Sequence, residues 1–354
     1  MTTQNSKLKT QNSKLFSLVP TEDFWSRRAN AQTVAFDFAP FGSPTHITAN
    51  EPAVLAAARL SAGRFSRATQ PDGRAMRIQV VVGQGPAQPP PDDLPERLVY
   101  AGLDEWITLS AGEWGHSFGN LRTRTAVIFL SPGLAARTRL VSRYFIDHYL
   151  LNFILTEWAM LHASCVLDPG GQRLIALIAP HNTGKSTTAL HLLRAGYTFL
   201  ADGMALLRQD DRNQRFLVGG YPIGEVKLRD DVLALWPDYE GQAVNVREQR
   251  KTVVNLRACH PDQLARRLLS PSSIQLCFVE RRETAGTQIA PLSPAEARPM
   301  LAANTVFWDE APRLEHNTAT LQALLQSARL HRLSIGTGAG GIVAAIDALC
   351  RERA

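Results

Sequence analysis

Cysteine is scarce in this chain: four in 354 residues, at Cys165, Cys259, Cys277 and Cys350. They lie far apart, with no C-x-x-C pair and no metal-ligand spacing. That excludes a disulfide framework and a cysteine zinc site, and it predicts reduced thiols in a cytoplasmic protein. Long apolar runs are missing too. The most apolar stretch, residues 140–160, is interrupted by Arg143, Asp147, His148 and Glu157, so it reads as a buried helix and not a membrane span. The first residues hold no apolar signal core. Charge of one sign is not abundant: the net charge is +6, and no aromatic residues interleave with the basic ones. This argues against a nucleic-acid partner. The densest basic clusters, residues 247–251 and the pair Arg281-Arg282, read as solvated faces.

What is present fits a soluble globular protein with a core: 45% hydrophobic and 20% charged residues, in a length that accommodates two domains. Residues 3–8 (TQNSKL) recur at 10–15. This polar duplication has too little apolar surface to order itself, so residues 1–15 are expected to form a disordered tail. Residues 16–139 read as an N-terminal α+β domain. Its elements are a strand from Val34, a helix over 51–61 with Pro52 in its first turn, and a strand over 76–82. A Gly/Pro-rich loop covers 83–95, and strands follow near 98–100, 105–109, 118–121 and 126–130. Residues 140–160 are expected to form one long helix joining this domain to residues 161–354. Further on, a strand over 273–280 and helices over 294–303 (opened by Ser293), 321–330 and 341–351 are expected. The glycine-rich loop over 336–341 reads as the cap of the last helix.

One segment carries chemistry. Leu174 to Ile178 is an apolar run of strand length, Leu190, Leu192 and Leu193 sit among helix formers, and Gly196 stands where a helix ends. Between them lies Ala179-Pro180-His181-Asn182-Thr183-Gly184-Lys185-Ser186-Thr187, a phosphate-binding loop with alanine in its first glycine position. Such a loop cradles phosphate oxygens with backbone N–H groups and the helix N-terminus. Lys185 reaches the β- and γ-phosphates and the Ser186 hydroxyl ligates Mg²⁺. Upstream, 161–167 and 173–179 flank the turn Asp168-Pro-Gly-Gly171 as a hairpin. A turn centred on Gly170 pairs residues whose numbers sum to about 340, which places His162 opposite Ile178 near the loop mouth. Downstream, a strand over 197–201 ends in Asp202-Gly203, at the strand end where α/β proteins place ligand-binding groups. Transfer to a hydroxyl also needs a group to take its proton. Asp202 and His162 are the candidates, and Asp202 with Ser186 is the metal pair.

The segments Leu161-His-Ala-Ser-Cys-Val, residues 179–190 and Leu200-Ala-Asp-Gly203 resemble the HPr kinase/phosphorylase family, in its divergent HPr-kinase-like branch. The resemblance covers residues 160–235 well and the rest of the C-terminal half loosely. It implies an α/β fold: a P-loop kinase core of phosphoenolpyruvate-carboxykinase-like type, behind the N-terminal α+β domain. It also implies ATP or another nucleoside triphosphate with Mg²⁺, and a serine hydroxyl as acceptor. His162 would be the active-site histidine, Lys185 the phosphate binder, Ser186 the metal ligand and Asp202 the catalytic base. Two positions depart from the family. Gly203 replaces a second aspartate, and Tyr221 to Arg229 stands in place of the glycine-rich signature, with Glu225 and Lys227 as further candidates for metal or phosphate. The expectation is therefore a kinase acting on a peptide, protein or small-molecule hydroxyl, with no nucleic-acid or membrane partner. Whether like subunits assemble stays open. The rivals are a catalytically degenerate nucleotide-binding regulator or peptide-binding module, and an NTPase driving conformational change.

Overall fold

The computed structural model describes residues 33–210, 215–246, 249–282, 286–304, 311–336 and 340–351. The expected tail and residues 337–339 of the glycine-rich loop lie outside them. Among the described residues, no helix is long and apolar enough to cross a membrane.

Alternation builds the first sheet. Seven strands, β1 (Val34–Phe38), β2 (Thr45–Ala49), β3 (Met76–Val82), β4 (Val99–Leu103), β5 (Trp106–Ser110), β6 (Gly115–Asn120) and β7 (Thr125–Leu130), run in the order β1-β2-β3-β7-β6-β5-β4. Met76, Ile78 and Val80 on β3, with Ala126, Ile128 and Leu130 on β7, point to one buried face, as a period of two requires. Helix α1 (Ala53–Arg64) begins after Pro52, which fixes φ where no intrahelical donor is needed. Its Val54, Ala57 and Ala58 share that core with Phe145, Tyr149, Leu150 and Phe153.

Those last residues belong to the stretch expected as one long helix, and here the structure differs. Residues 138–140 are an α-turn, Val141–Ile146 is a π-helix, and α2 covers Asp147–Ile154. The chain then turns, and Ala159–Leu161 is strand β8. Met160 pairs with Leu206 on β12 (Ala205–Gln209). Ladder hydrogen bonds to a distant strand outweigh the local helical pattern at 159–160.

The second sheet runs β11-β9-β10-β17-β19-β18. Its strands are β9 (Ser164–Leu167), β10 (Arg173–Ile178), β11 (Thr198–Asp202), β17 (Ser273–Arg281), β18 (Gln288–Pro291) and β19 (Arg329–Ile335). β10, β17 and β19 are mutually parallel. β10 is buried on both faces, as parallel strands covered on two sides are. Ile175 and Leu177 meet Leu190, Leu192 and Leu193 of α3 (Lys185–Arg194). Leu174, Ala176 and Ile178 face the layer of α4 (Pro294–Ala303) and α5 (Ala311–Ser327) through Leu301, Leu321 and Leu324. Each of the three α3 leucines is fully buried and contributes about 1.5–3 kcal/mol by leaving water. Together they fix the helix that follows the loop. Helix α4 opens on a capping box between Ser293 and Glu296, as Ser293 implied. The helix expected to reach Leu330 stops at Ser327, because Leu330 is drawn into β19 beside Leu276. A last helix, α6, covers Gly340–Arg351. Two small sheets complete the chain. One is β13-β12-β8, with β13 at Phe216–Gly220; the other is β14-β16-β15, with β14 at Glu225–Leu228, β15 at Gly241–Val246 and β16 at Gln249–Asn255. The whole is a mixed α/β structure with several sheets. All four cysteines are free, and burial pushes the Cys165 and Cys277 thiols upward.

Two adjacent α2 residues give stability opposite pH slopes. Burial, reinforced by Arg313, pushes the His148 imidazole down to about 4. The fold therefore holds it neutral, and its contribution is lost as pH falls from the ordinary 6.5 toward 4. Burial raises the Asp147 carboxyl to about 6 against the pull of Arg64, so its contribution falls as pH rises from the usual carboxylate range to about 6. His148→Gln removes only the first effect. In urea denaturation, the stability difference should swing toward the variant by up to about 3 kcal/mol between pH 6.5 and 4. A difference independent of pH would show that the ring is not held neutral.

Candidate active site

The loop between β10 and α3 takes its shape from two residues. Asn182 and Gly184 adopt left-handed backbone, with φ 64° and 109°, which asparagine and glycine tolerate best. Ala179 is not among the left-handed positions, so its methyl group is no obstacle and is buried against the core. Gly184 is the N-cap residue of α3. The first N–H groups of that helix have no intrahelical acceptor, and the positive end of its dipole lies at the loop. Lys185 Nζ donates to the carbonyls of Ala179 at 2.5 Å and Pro180 at 3.1 Å, and Thr183 Oγ1 donates to Pro180 O at 3.0 Å. Burial lowers the Lys185 pKa against the attraction of Asp202, and Lys251 adds to the lowering.

Strand order brings Asp202 to this loop. β9 lies between β10 and β11 and pairs antiparallel with both: Ser164 stands opposite Leu177 on one side and Asp202 on the other. Asp202 is therefore level with the last turn of chain before the loop. Its Oδ1 accepts from Ser186 Oγ at 2.8 Å and from Ser164 Oγ at 2.5 Å. The β9–β10 pairing sums to 341 (Leu177 with Ser164), one more than the expected 340. Asp168 Oδ1 accepts from the N–H groups of Gln172 and Arg173 and so closes the turn one half-step later. His162 is not on either strand. It lies where the chain leaves β8 and crosses to β9, and its ring sits 5.2 Å from that of His181 in the loop. The Gly203 N–H donates to Ala163 O at 3.0 Å, which ties the turn after Asp202 to the segment carrying His162. Gly203 itself has φ 96°, a conformation that strains an L side chain, so a second aspartate here would carry backbone strain.

These groups line one open cleft of about 210 Å³. His181, Asn182, Gly184, Lys185, Ser186 and Thr187 form the loop side, and His162, Asp202 and Gly203 the end. Ala179, Pro180 and Thr183 do not line the cleft, and their carbonyls and hydroxyl hold Lys185 and the loop. The facing wall includes Glu225 and Lys227 of β14, Lys251 of β16 and Arg229, while Arg281 also lines the cleft but stands against the loop. Arg281 ends β17, and its Nε and Nη2 stand 3.7 Å from where a Cβ on Gly184 would be. Lys251, half-buried, thus departs from the solvated-face reading of its cluster, while Arg281 is exposed as expected and also lines the cleft. Sequence spacing cannot show that β16 and the end of β17 converge on the loop. Arg282 follows the simpler expectation and pairs with Glu280 at 2.7 Å. Ser164, the second donor to Asp202, was equally invisible, because the β9–β11 pairing joins residues with no turn between them.

The donor chemistry fits a magnesium nucleotide. Among the described residues, no three His, Cys, Asp or Glu side chains gather to hold a metal. Mg²⁺ carried by a polyphosphate instead needs only one or two side-chain oxygens, and Ser186 with Asp202 offers them.

No protein-family model matches the sequence, and no curated protein matches it. Among solved structures, the chain is similar to the Hpr(Ser) kinase/phosphatase from Coxiella burnetii. The identity is 10%, over 54% of this chain and 88% of that one, with a TM-score of 0.27.

Proposed function

We propose that the protein is a phosphotransferase that uses a nucleoside triphosphate with Mg²⁺ and delivers the phosphoryl group to a hydroxyl acceptor. The observation that carries this reading is the 2.8 Å contact between Ser186, in the first turn after the loop, and Asp202. It puts a hydroxyl and a carboxylate together beside the lysine and free helix N–H groups that suit a triphosphate. Lys185 would exchange its loop carbonyls for the β- and γ-phosphate oxygens. Bound Mg²⁺ would neutralise charge across those oxygens. Asp202 accepts both serine hydroxyls on Oδ1, and among the described residues Oδ2 carries no hydrogen bond, which supports Oδ2 as the atom that would take the acceptor proton. His162 is the neighbouring alternative for that role.

Calorimetry with Mg·ATP and transfer of labelled phosphate to an acceptor test this together. Lys185→Ala should weaken nucleotide binding about 10- to 100-fold, the worth of a charged hydrogen-bond partner. Wild-type protein that binds no nucleoside triphosphate would end the proposal. A second reading, a nucleotide-binding regulator, draws on the single carboxylate left by the left-handed Gly203. Binding without transfer to any acceptor would select it.

A further inference from the structure

The wall opposite the phosphate loop is formed by β14 and β16 of the three-stranded sheet β14-β16-β15, which has two faces. β14 and β16 are antiparallel, with Lys227 opposite Val253 and Leu228 opposite Thr252. Val226, Leu228 and Val254 point into the core. By the period of two, Glu225, Lys227 and Lys251 share the other face, toward the cleft. Lys251 is two residues from Val253, so the lysines are diagonal neighbours, roughly 7–8 Å apart at their Cα atoms.

Neither lysine has a compensating partner. Among the described residues, neither forms an ion pair. Asp202 is engaged by the two serines. Glu225 is already shared by two guanidiniums, Arg64 and Arg143, each at 3.7 Å. Burial pushes the Lys227 amine down to about 8, with Arg143 and Lys251 adding to it and Asp202 and Glu225 opposing. It is still mostly charged at neutral pH. Holding two half-buried like charges side by side costs free energy unless an anion joins them. The loop side of the cleft has its own phosphate-binding groups, the helix N–H groups, Lys185 and Arg281, so the pair is available to a second anion.

We infer that Lys227 and Lys251 form an anion subsite for the acceptor, which is a hydroxyl compound carrying a carboxylate or phosphate group. This rests on the phosphotransferase reading and narrows it to acidic acceptors. One oxyanion bridging both ammonium groups would hold the acceptor across the cleft from the phosphate loop, with its hydroxyl free to face Asp202.

The test fills the loop with a non-hydrolysable ATP analogue and Mg²⁺, then titrates D-glycerate, glycerol 3-phosphate and glycerol by calorimetry. At least one acidic probe should bind ten times or more tighter than glycerol. Lys227→Gln/Lys251→Gln should abolish that preference while changing the analogue's affinity less than twofold. Which acidic probe binds tighter separates a carboxylate from a phosphate acceptor. Equal binding of all three probes by the wild type would overturn the inference. So would a tenfold loss of analogue affinity in the double variant, which would assign the lysines to the nucleotide. Failure of the wild type to bind the analogue would instead end the phosphotransferase reading, and this inference with it.

Discussion

Asp202→Asn should lower phosphoryl transfer by about 10²–10⁴-fold, the usual worth of a positioned proton acceptor, while leaving the fold intact. Asparagine keeps the size of the side chain and an oxygen for the hydroxyls of Ser164 and Ser186, which bond Oδ1 at 2.5 and 2.8 Å. It loses the basicity and the negative charge. The lost charge has side effects that can be read separately. Asp202 favours the protonated forms of Lys185 and Lys227, so both amines should deprotonate at lower pH in the variant. Transfer is measured at saturating Mg·ATP, with His162→Gln in parallel. If Asp202→Asn retains wild-type turnover and His162→Gln does not, the proton acceptor is the histidine. If both retain it, the cleft end is structural.

The elements with strong local signals were readable from the sequence. The loop of residues 179–187 has its strand and helix where Leu174 to Ile178 and the α3 leucines put them. The strand at Met76–Val82 and the helix at Pro294–Ala303 have the expected limits. What failed depends on partners distant in sequence. The apolar pattern at 159–160 suits a helix as well as a strand, and only β12 decides it. The same holds for the site. Asp202 could be placed at a strand end, but its two serine donors meet it only because β9 inserts between β10 and β11. The basic residues were visible as clusters, yet a ribbon's two faces are defined only once its register is known. Lys251 faces the cleft because β16 pairs with β14 in the observed register. A shift of one residue would turn it to the core.

Asp147→Ala should destabilise the protein by about 3–5 kcal/mol, the cost of leaving a buried charge uncompensated. Asp147 is fully buried, and its carboxylate accepts from Arg64 Nη2 at 2.9 Å and from the Tyr221 hydroxyl at 2.7 Å. Arg64 is itself 4% exposed at its side chain and also donates to Ser142 Oγ in the π-helix, where Ser61 Oγ lies 2.7 Å away. Without Asp147, the nearest carboxylate to this guanidinium is Glu225 at 3.7 Å, already shared with Arg143. Arg64→Met alone should cost less, because the Asp147 carboxyl, already raised to about 6 with Arg64 beside it, takes up a proton at pH 7 once that guanidinium is gone and keeps the Tyr221 hydroxyl as a partner. The pair Arg64→Met/Asp147→Leu removes both charges and fills the space with apolar side chains, so it should cost far less than the sum of the single changes. Urea denaturation of the four proteins at pH 7 measures this. Additive losses would show that the two residues are not coupled. The cleft gives the cycle a second readout. Arg64 is one of the two cations on Glu225, so its loss frees that carboxylate to neutralise Lys227 beside it. The double variant, although folded, should then bind acidic probes more weakly than the wild type does, with nucleotide affinity unchanged. In that case Arg64, at the end of α1, sets the charge of a cleft whose phosphate loop lies more than a hundred residues further along the chain.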